Sequence, residues 1–220
     1  MDITLCMVVK NEIHNLKSLL KPSLMNHFDD IIIVDTGSSD GTKEFVMEEL
    51  MVKCLESKIS YSTASSKTPC RNLALDHVKT DWVFFLDADE RIKEEDLESI
   101  KLIEPTEEVS GYFGRWVNYL GDRHPFSDYK LFLYRKGVKV RGLVHENATV
   151  DLRINNKIAI WTDLFTVKHF PDPKKSSYKT RFYEERLLHA IEIDPSWARN
   201  YWFLGYMLYQ KKILQNRYIG

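Results

Sequence analysis

Short, almost wholly apolar runs alternate with stretches of helical period through the first hundred residues, and that alternation leaves few folds open. Residues 3–9, "ITLCMVV", 31–34, "IIIV", and 82–86, "WVFFL", have the composition of strands buried on both faces. Between the first two, Ile13, Leu16, Leu19 and Leu20 recur at helical spacing until Pro22 interrupts them. After the second, Asp40 or Thr42 can cap a helix carrying Phe45, Val46 and Leu50. "KISYST", residues 58–63, reads as a weak strand. Thr68 and Pro69 read as the N-cap and first position of a helix through Leu73, Leu75 and Val78. An acid-rich helix is expected near residues 94–103, where the helix dipole favours its charges. The pattern predicts an α/β fold: a Rossmann-like, mostly parallel central sheet covered on both faces.

From about residue 110 the texture changes. "GYFGRWVNYL", "YKLFLYR" and "IAIWTDLFTVKHF" are rich in aromatic and β-branched residues and predict strands, giving the second half an antiparallel character. "LFLYRKGVKV" reads as a hairpin turning at Lys136-Gly137. Two helical stretches close the chain, near 176–193 and 196–211. There Ala190, Pro195, Tyr201, Leu204, Gly205 and Leu208 fall where a tetratricopeptide (TPR) repeat places its signature residues. Too few helices fit for an independent solenoid. The expected division is a main domain over 1–172 and a TPR-like helical extension over 173–220, packed on it.

Parallel sheets bind ligands beyond the carboxyl ends of their strands. Three strand ends here carry polar clusters: "KNE" after the first run, "DTGSSD" after the second and "DADE" after 82–86. In the last, Asp87, Asp89 and Glu90 lie within four positions, and like charges so close repel unless something accommodates them. A solvated loop leading into a helix is the plain explanation. A metal site is the other. On extended chain, residues two apart point the same way, so Asp87 and Asp89 can serve one side of the strand end. Such hard oxygen donors suit Mg²⁺ or Mn²⁺. Asp35 directly follows a buried strand and is a second ligand candidate, whereas Asp40 reads as a turn and helix cap. Lys10-Asn11-Glu12 alone would be a helix start.

Bulk composition restricts partners more than chemistry. With 31 basic against 32 acidic residues, no global field favours nucleic acid or an anionic membrane. "KGVKVR" and "PDPKKSSYKTR" are local basic stretches that could meet phosphates, although most such runs are solvated faces. Cys6, Cys54 and Cys70 show no CxxC spacing and suit reduced thiols. No apolar stretch approaches the roughly 20 residues a bilayer requires. The N-terminus lacks the basic segment of a signal peptide. A cytoplasmic protein without a transmembrane segment is expected.

"ITLCMVVKNE", "IIIVDTGSSDGT", "CRNLALDHVKTDWVFFLDADE" and "KLFLYRKGVKVRGLVHE" occur in this order and at this spacing. Together they closely resemble the family 2 glycosyltransferases, over roughly residues 2–170. The likeness is to the branch that includes bacteriocin S-glycosyltransferases and lipopolysaccharide glucosyltransferases. The resemblance implies a GT-A fold and a hexosyltransferase using a nucleotide-sugar donor, a UDP-sugar first, with Mn²⁺ or Mg²⁺. It places Val9 and Glu12 at the nucleoside pocket, Asp35 on base or ribose, and Arg71, Asp87 and Ala88 at the donor. Asp89, with His169, falls at the metal. Glu146 of the "HE" motif matches the base that deprotonates the acceptor, with Asp128 the fallback. The mechanism it implies is direct displacement with inversion. The acceptor stays open between a peptide side chain, a lipid-linked or other glycan, and a modified DNA base.

Plain structural roles exist for several of these. His145 and Glu146 could be surface residues at a strand end, His169 a satisfied structural histidine, and Arg71 an ordinary ion-pair partner. Trp116, Tyr119, Trp161 and Trp202 could line an acceptor groove, but aromatics are more often core. Two other functions compete. A sugar nucleotidylyltransferase should carry a glycine-rich basic loop after the first strand, where this chain has "VVKNE". A non-catalytic GT-A scaffold could bind a partner through the helical tail, but the intact acid motifs weigh against it.

Overall fold

The computed structural model describes residues 1–57, 67–119, 121, 124–144 and 146–217, with backbone alone over 173–182 and 210–217. In chain order the elements begin with β1 (Ile3–Val9), α1 (Ile13–Leu19), α2 (Pro22–Met25), β2 (Asp30–Asp35) and α3 (Thr42–Glu44), which widens into a π-helical turn, Phe45–Glu49. They continue with β3 (Lys53–Glu56), α4 (Thr68–Asp76), β4 (Trp82–Phe85), β5 (Glu90–Ile92) and α5 (Glu94–Lys101). The remainder is β6 (Val109–Asn118), β7 (Phe126–Arg135), α6 (Thr149–Ile154), β8 (Ile158–His169), α7 (Pro173–Ile193) and α8 (Ala198–Arg217).

The strands form one eight-stranded sheet in the order β3-β2-β1-β4-β7-β6-β8-β5. β3, β2, β1 and β4 are parallel, and β7 joins antiparallel between β4 and β6. β8 runs parallel to β6, and β5 closes the edge antiparallel to β8. All seven residues of β1 are buried, as its unbroken apolar run requires. Alternate residues feed two cores. Leu5, Met7, Val9, Ile33 and Phe84 pack on one face; Cys6, Val8, Ile32, Val34 and Phe85 pack on the other. Phe84 anchors the first core, stacked on Phe132 and edge-on to Phe165.

The chain steps from β1 out to β2 and β3, then returns to β4 on β1's other side. In parallel sheets such a reversal marks where ligands bind, here beyond the carboxyl ends of β1 and β4. The parallel first half agrees with the sequence; the second half is mixed, antiparallel at β4–β7, β6–β7 and β5–β8 but parallel at β6–β8.

Two local expectations do not hold. A strand runs over Lys53–Glu56, whereas "KISYST" lies outside the described residues, as do His145 and, at side-chain level, much of "PDPKKSSYKTR". The N-cap of α4 is Lys67, with Thr68 already helical. The Lys136-Gly137 turn does not make a hairpin. β7 already pairs with β4 on one edge and β6 on the other, so a returning strand has no edge to join. Residues 138–140 instead bury Val138 and Val140 in the second core. The side chain of Asn72 stands in for a neighbouring strand: Oδ1 accepts from Val140 N and Nδ2 donates to Val140 O, at 2.9 and 3.0 Å. "KGVKVR" is no free basic run, since Lys139 pairs with Asp76 and Arg141 with Asp151.

α7 and α8 pack on a small third core of Val144, Leu187 and Ala190, with Phe203, Leu204 and Met207 at its margin. Among the described residues, no helix is long and apolar enough to cross a membrane.

Candidate active site

The acids after β4 are not a solvated loop. Asp87 is held from both sides: Arg71 Nη2 lies 2.8 Å from Oδ1 and Lys130 Nζ 3.1 Å from Oδ2. Glu90 is fully buried. Its Oε1 accepts from Lys130 Nζ at 2.6 Å and Trp116 Nε1 at 2.9 Å, and its Oε2 accepts from Asp87 N. Burial works against charge on Asp87, but Arg71 and Lys130 hold its carboxyl well below the usual carboxylate range. For Glu90 burial prevails, and with the charge of Asp87 it raises the carboxyl despite Lys130. Aromatic rings back both cations: Arg71 lies 4.7 Å from the Phe85 centroid and Lys130 4.9 Å from that of Phe132.

Asp89 meets His169. The antiparallel register of β5 and β8 pairs Glu90 with His169, and Phe170 N donates to Asp89 O at 2.9 Å. Asp89 Oδ2 then lies 3.3 Å from His169 Nε2, while His169 Nδ1 is 2.9 Å from Asn118 Oδ1. Asn118 thus fixes one side of the ring and leaves Nε2 facing Asp89. Trp116 stacks on the imidazole, 5.0 Å between centroids, and fixes its plane. Burial opposes charge on Asp89, but the hydrogen bond and charge of His169 draw its carboxyl below its ordinary value.

The ends of β1 and β2 are stitched together. Thr36 donates to Val9 O through both its amide and its hydroxyl. Asp35 is buried, and its Oδ1 accepts from Gly37 N and Ser38 N, each at 2.9 Å. Its Oδ2 is buried without a protein partner. Gly37 takes φ +93°, which a side chain would strain, so the backbone can fold over the carboxylate. Glu12 N donates to Thr42 Oγ1, and Glu12 Oε2 accepts from Asn15 Nδ2. Asn15 Oδ1 accepts from Arg91, which also donates to Ala88 O, so a polar chain runs from Glu12 to the "DAD" turn. The methyl of Ala88 is buried in the first core.

Glu146 sits in a loop closed by the Arg141–Asn147 bridge. Its Oε1 accepts from Lys67 N at 2.9 Å and lies 3.6 Å from Arg186 Nη2. Asp128 is exposed on β7 and its Oδ1 accepts from Tyr129 N. Trp161 and Trp202 are exposed rather than core, and Tyr119 stacks on Phe170.

Residues 4–185 match the model of glycosyl transferase family 2. The chain belongs to that family. The glycosyltransferase SunS of Bacillus subtilis is 27% identical over 155 residues, covering 66% of this chain and 34% of that protein. The chain thus spans about a third of that relative's length. A TPR repeat-containing protein of Synechococcus elongatus is 33% identical over 91 residues, 41% of this chain and 21% of its own. TarS of S. aureus, solved with UDP-GlcNAc, superposes with a TM-score of 0.55 at 15% identity over 94% of this chain and 72% of TarS. The mannosyltransferase PcManGT of Pyrobaculum calidifontis, solved with GDP-Man and Mn²⁺, gives 0.60 at 14% identity over 86% and 64%. The shared fold is the GT-A architecture.

Within this family-2 chain, Asp35, Arg71, Asp87, Asp89 and His169 cluster at the carboxyl edge of the sheet or at the junction of β5 and β8. Lys130, Asn118 and Arg186 are polar partners that the sequence reading did not single out. Lys130 shares one face of β7 with Asp128 and Phe132, a placement visible as period-two alternation only once the strand's neighbours are known.

Proposed function

We propose that this chain is a metal-dependent, inverting glycosyltransferase that moves a sugar from a nucleotide-sugar, a UDP-sugar first, to an acceptor hydroxyl or thiol. The observation that carries it is the pairing, at one end of the sheet, of an unsatisfied buried carboxylate oxygen with a carboxylate–imidazole pair. Asp35 Oδ2 lacks a partner, and a buried acceptor left unpaired is costly. A nucleoside's N–H or ribose hydroxyl supplies the missing donor. Asp89 and His169 would hold a divalent cation there, leaving its other positions open to diphosphate and water. An imidazole in the set favours Mn²⁺ over the strictly oxygen-seeking Mg²⁺. When bound, such a cation offsets the charge of the departing diphosphate.

The protein's own groups do the rest. Arg71 and Lys130 cancel Asp87, so the edge does not repel an anionic donor. Glu146, held by Lys67 N, accepts the acceptor's proton as that oxygen or sulfur attacks the anomeric carbon. Attack opposite the leaving diphosphate inverts that centre. The test is nucleoside diphosphate release from UDP-GlcNAc, UDP-glucose and GDP-mannose, with Mn²⁺ or with EDTA. Release that requires metal and disappears in Asp89→Ala supports the proposal; release indifferent to both contradicts it.

A further inference from the structure

Glu146 is gripped from two sides, and only one of them belongs to the sheet domain. On the first side stands the start of α4: Lys67 N donates to Glu146 Oε1, and Thr68 Oγ1 donates to Gly142 O. On the second stands the helical extension. Arg186 Nη2 donates to Leu143 O at 2.7 Å and faces Glu146 Oε1 at 3.6 Å. Val144 is buried against Leu187 and Ala190, and the Trp197 ring covers Gly142. Gly142, Leu143, Val144 and Glu146 are therefore clamped between α4 and α7–α8.

Packing alone does not require an arginine there. Leu187 and Ala190 already supply the apolar contact. Taking a guanidinium out of water offsets much of what its ion pair returns. The Arg186 side chain is 17% exposed, and its Nε is buried without a partner. So costly a group, hydrogen-bonded to the Leu143 carbonyl and facing the Glu146 carboxylate, is better accounted for by where it places that carboxylate.

We propose that Arg186 is a positioning residue: from the helical extension it holds the Glu146 carboxylate in the orientation that receives the acceptor's proton. The inference rests on the reading of Glu146 as base. It makes α7 part of the site.

The test uses the full chain with Arg186→Gln, Arg186→Lys, Glu146→Gln and the packing control Leu187→Ala. Two readouts are followed: Mn²⁺-dependent release of UDP from UDP-GlcNAc or UDP-glucose, with water as acceptor, and the NMR position of the Lys67 amide, which donates to Glu146. Arg186→Gln is expected to lower kcat about tenfold to a hundredfold with KM and UDP–Mn²⁺ affinity unchanged, the size of effect that small misplacement produces. The Lys67 amide is expected to move toward its position in Glu146→Gln. Arg186→Lys restores most of both, and Leu187→Ala lowers the melting temperature without moving the amide. An unmoved amide in Arg186→Gln overturns the inference, whether or not water serves as acceptor. Wild-type turnover in Glu146→Gln removes instead the reading of Glu146 as base.

Discussion

Three neighbouring acids, Asp87, Asp89 and Glu90, have three different fates, set by which partner each reaches. Asp87 is neutralised by Arg71 and Lys130, Glu90 is buried on Lys130 and Trp116, and only Asp89 is left beside an imidazole. Because the folded Asp87 carboxyl lies well below its unfolded value of 3.8, its contribution to stability is complete above about pH 4 and is lost as the pH falls through the lowered folded value. Glu90, raised by burial, works in the opposite sense. Urea midpoints measured from pH 6 to pH 3 are expected to fall more steeply for the wild type than for Asp87→Asn. Parallel curves would show that the ion pairs add nothing. Asp35→Ala is expected to weaken UDP binding about tenfold to a hundredfold, the worth of a hydrogen bond to a charged group. Unchanged affinity by calorimetry would leave the buried oxygen without a role. Asp35 and Asp89 were legible because each sits at the end of an apolar run. Lys130 was not, because only the β4–β7 pairing brings it to Asp87, forty-three residues away in sequence.

Strands were read correctly where the apolar run was long and buried, as in β1, β2 and β4. The hairpin at Lys136-Gly137 failed for a reason no local window contains: both edges of β7 were already taken. The close contact of β6 with β8 is likewise a tertiary fact. A Cβ added at Gly114 would run into the ring of Phe165, which is fully buried in the core around Phe84. Gly114→Ala is therefore expected to cost about 1–3 kcal/mol, the usual penalty of overpacking. At this chain length that is a drop of several degrees in melting temperature. An unchanged melting temperature would mean that β6 and β8 do not approach so closely in solution.

At the scale of the molecule, the order of the four parallel strands brings the ends of β1, β2 and β4 to one edge, and β8 delivers His169 to Asp89 from the other half of the sheet. The sequence foretold the α/β alternation and the polar strand ends, but the position of the reversal between β1 and β4 depends on how helices cover the sheet. The helical extension was legible as helices, while its grip on the Glu146 loop, through Arg186 and Trp197, depends on packing that spacing does not report. The central claim is that the edge around Asp35, Asp89 and His169 is a nucleotide–metal site. Calorimetric titration of UDP and GDP into the protein, each with and without Mn²⁺, tests it most directly. The account predicts that one nucleotide binds tightly only with the metal, and that Asp89→Ala abolishes the dependence. Binding of neither nucleotide under any of these conditions would contradict it.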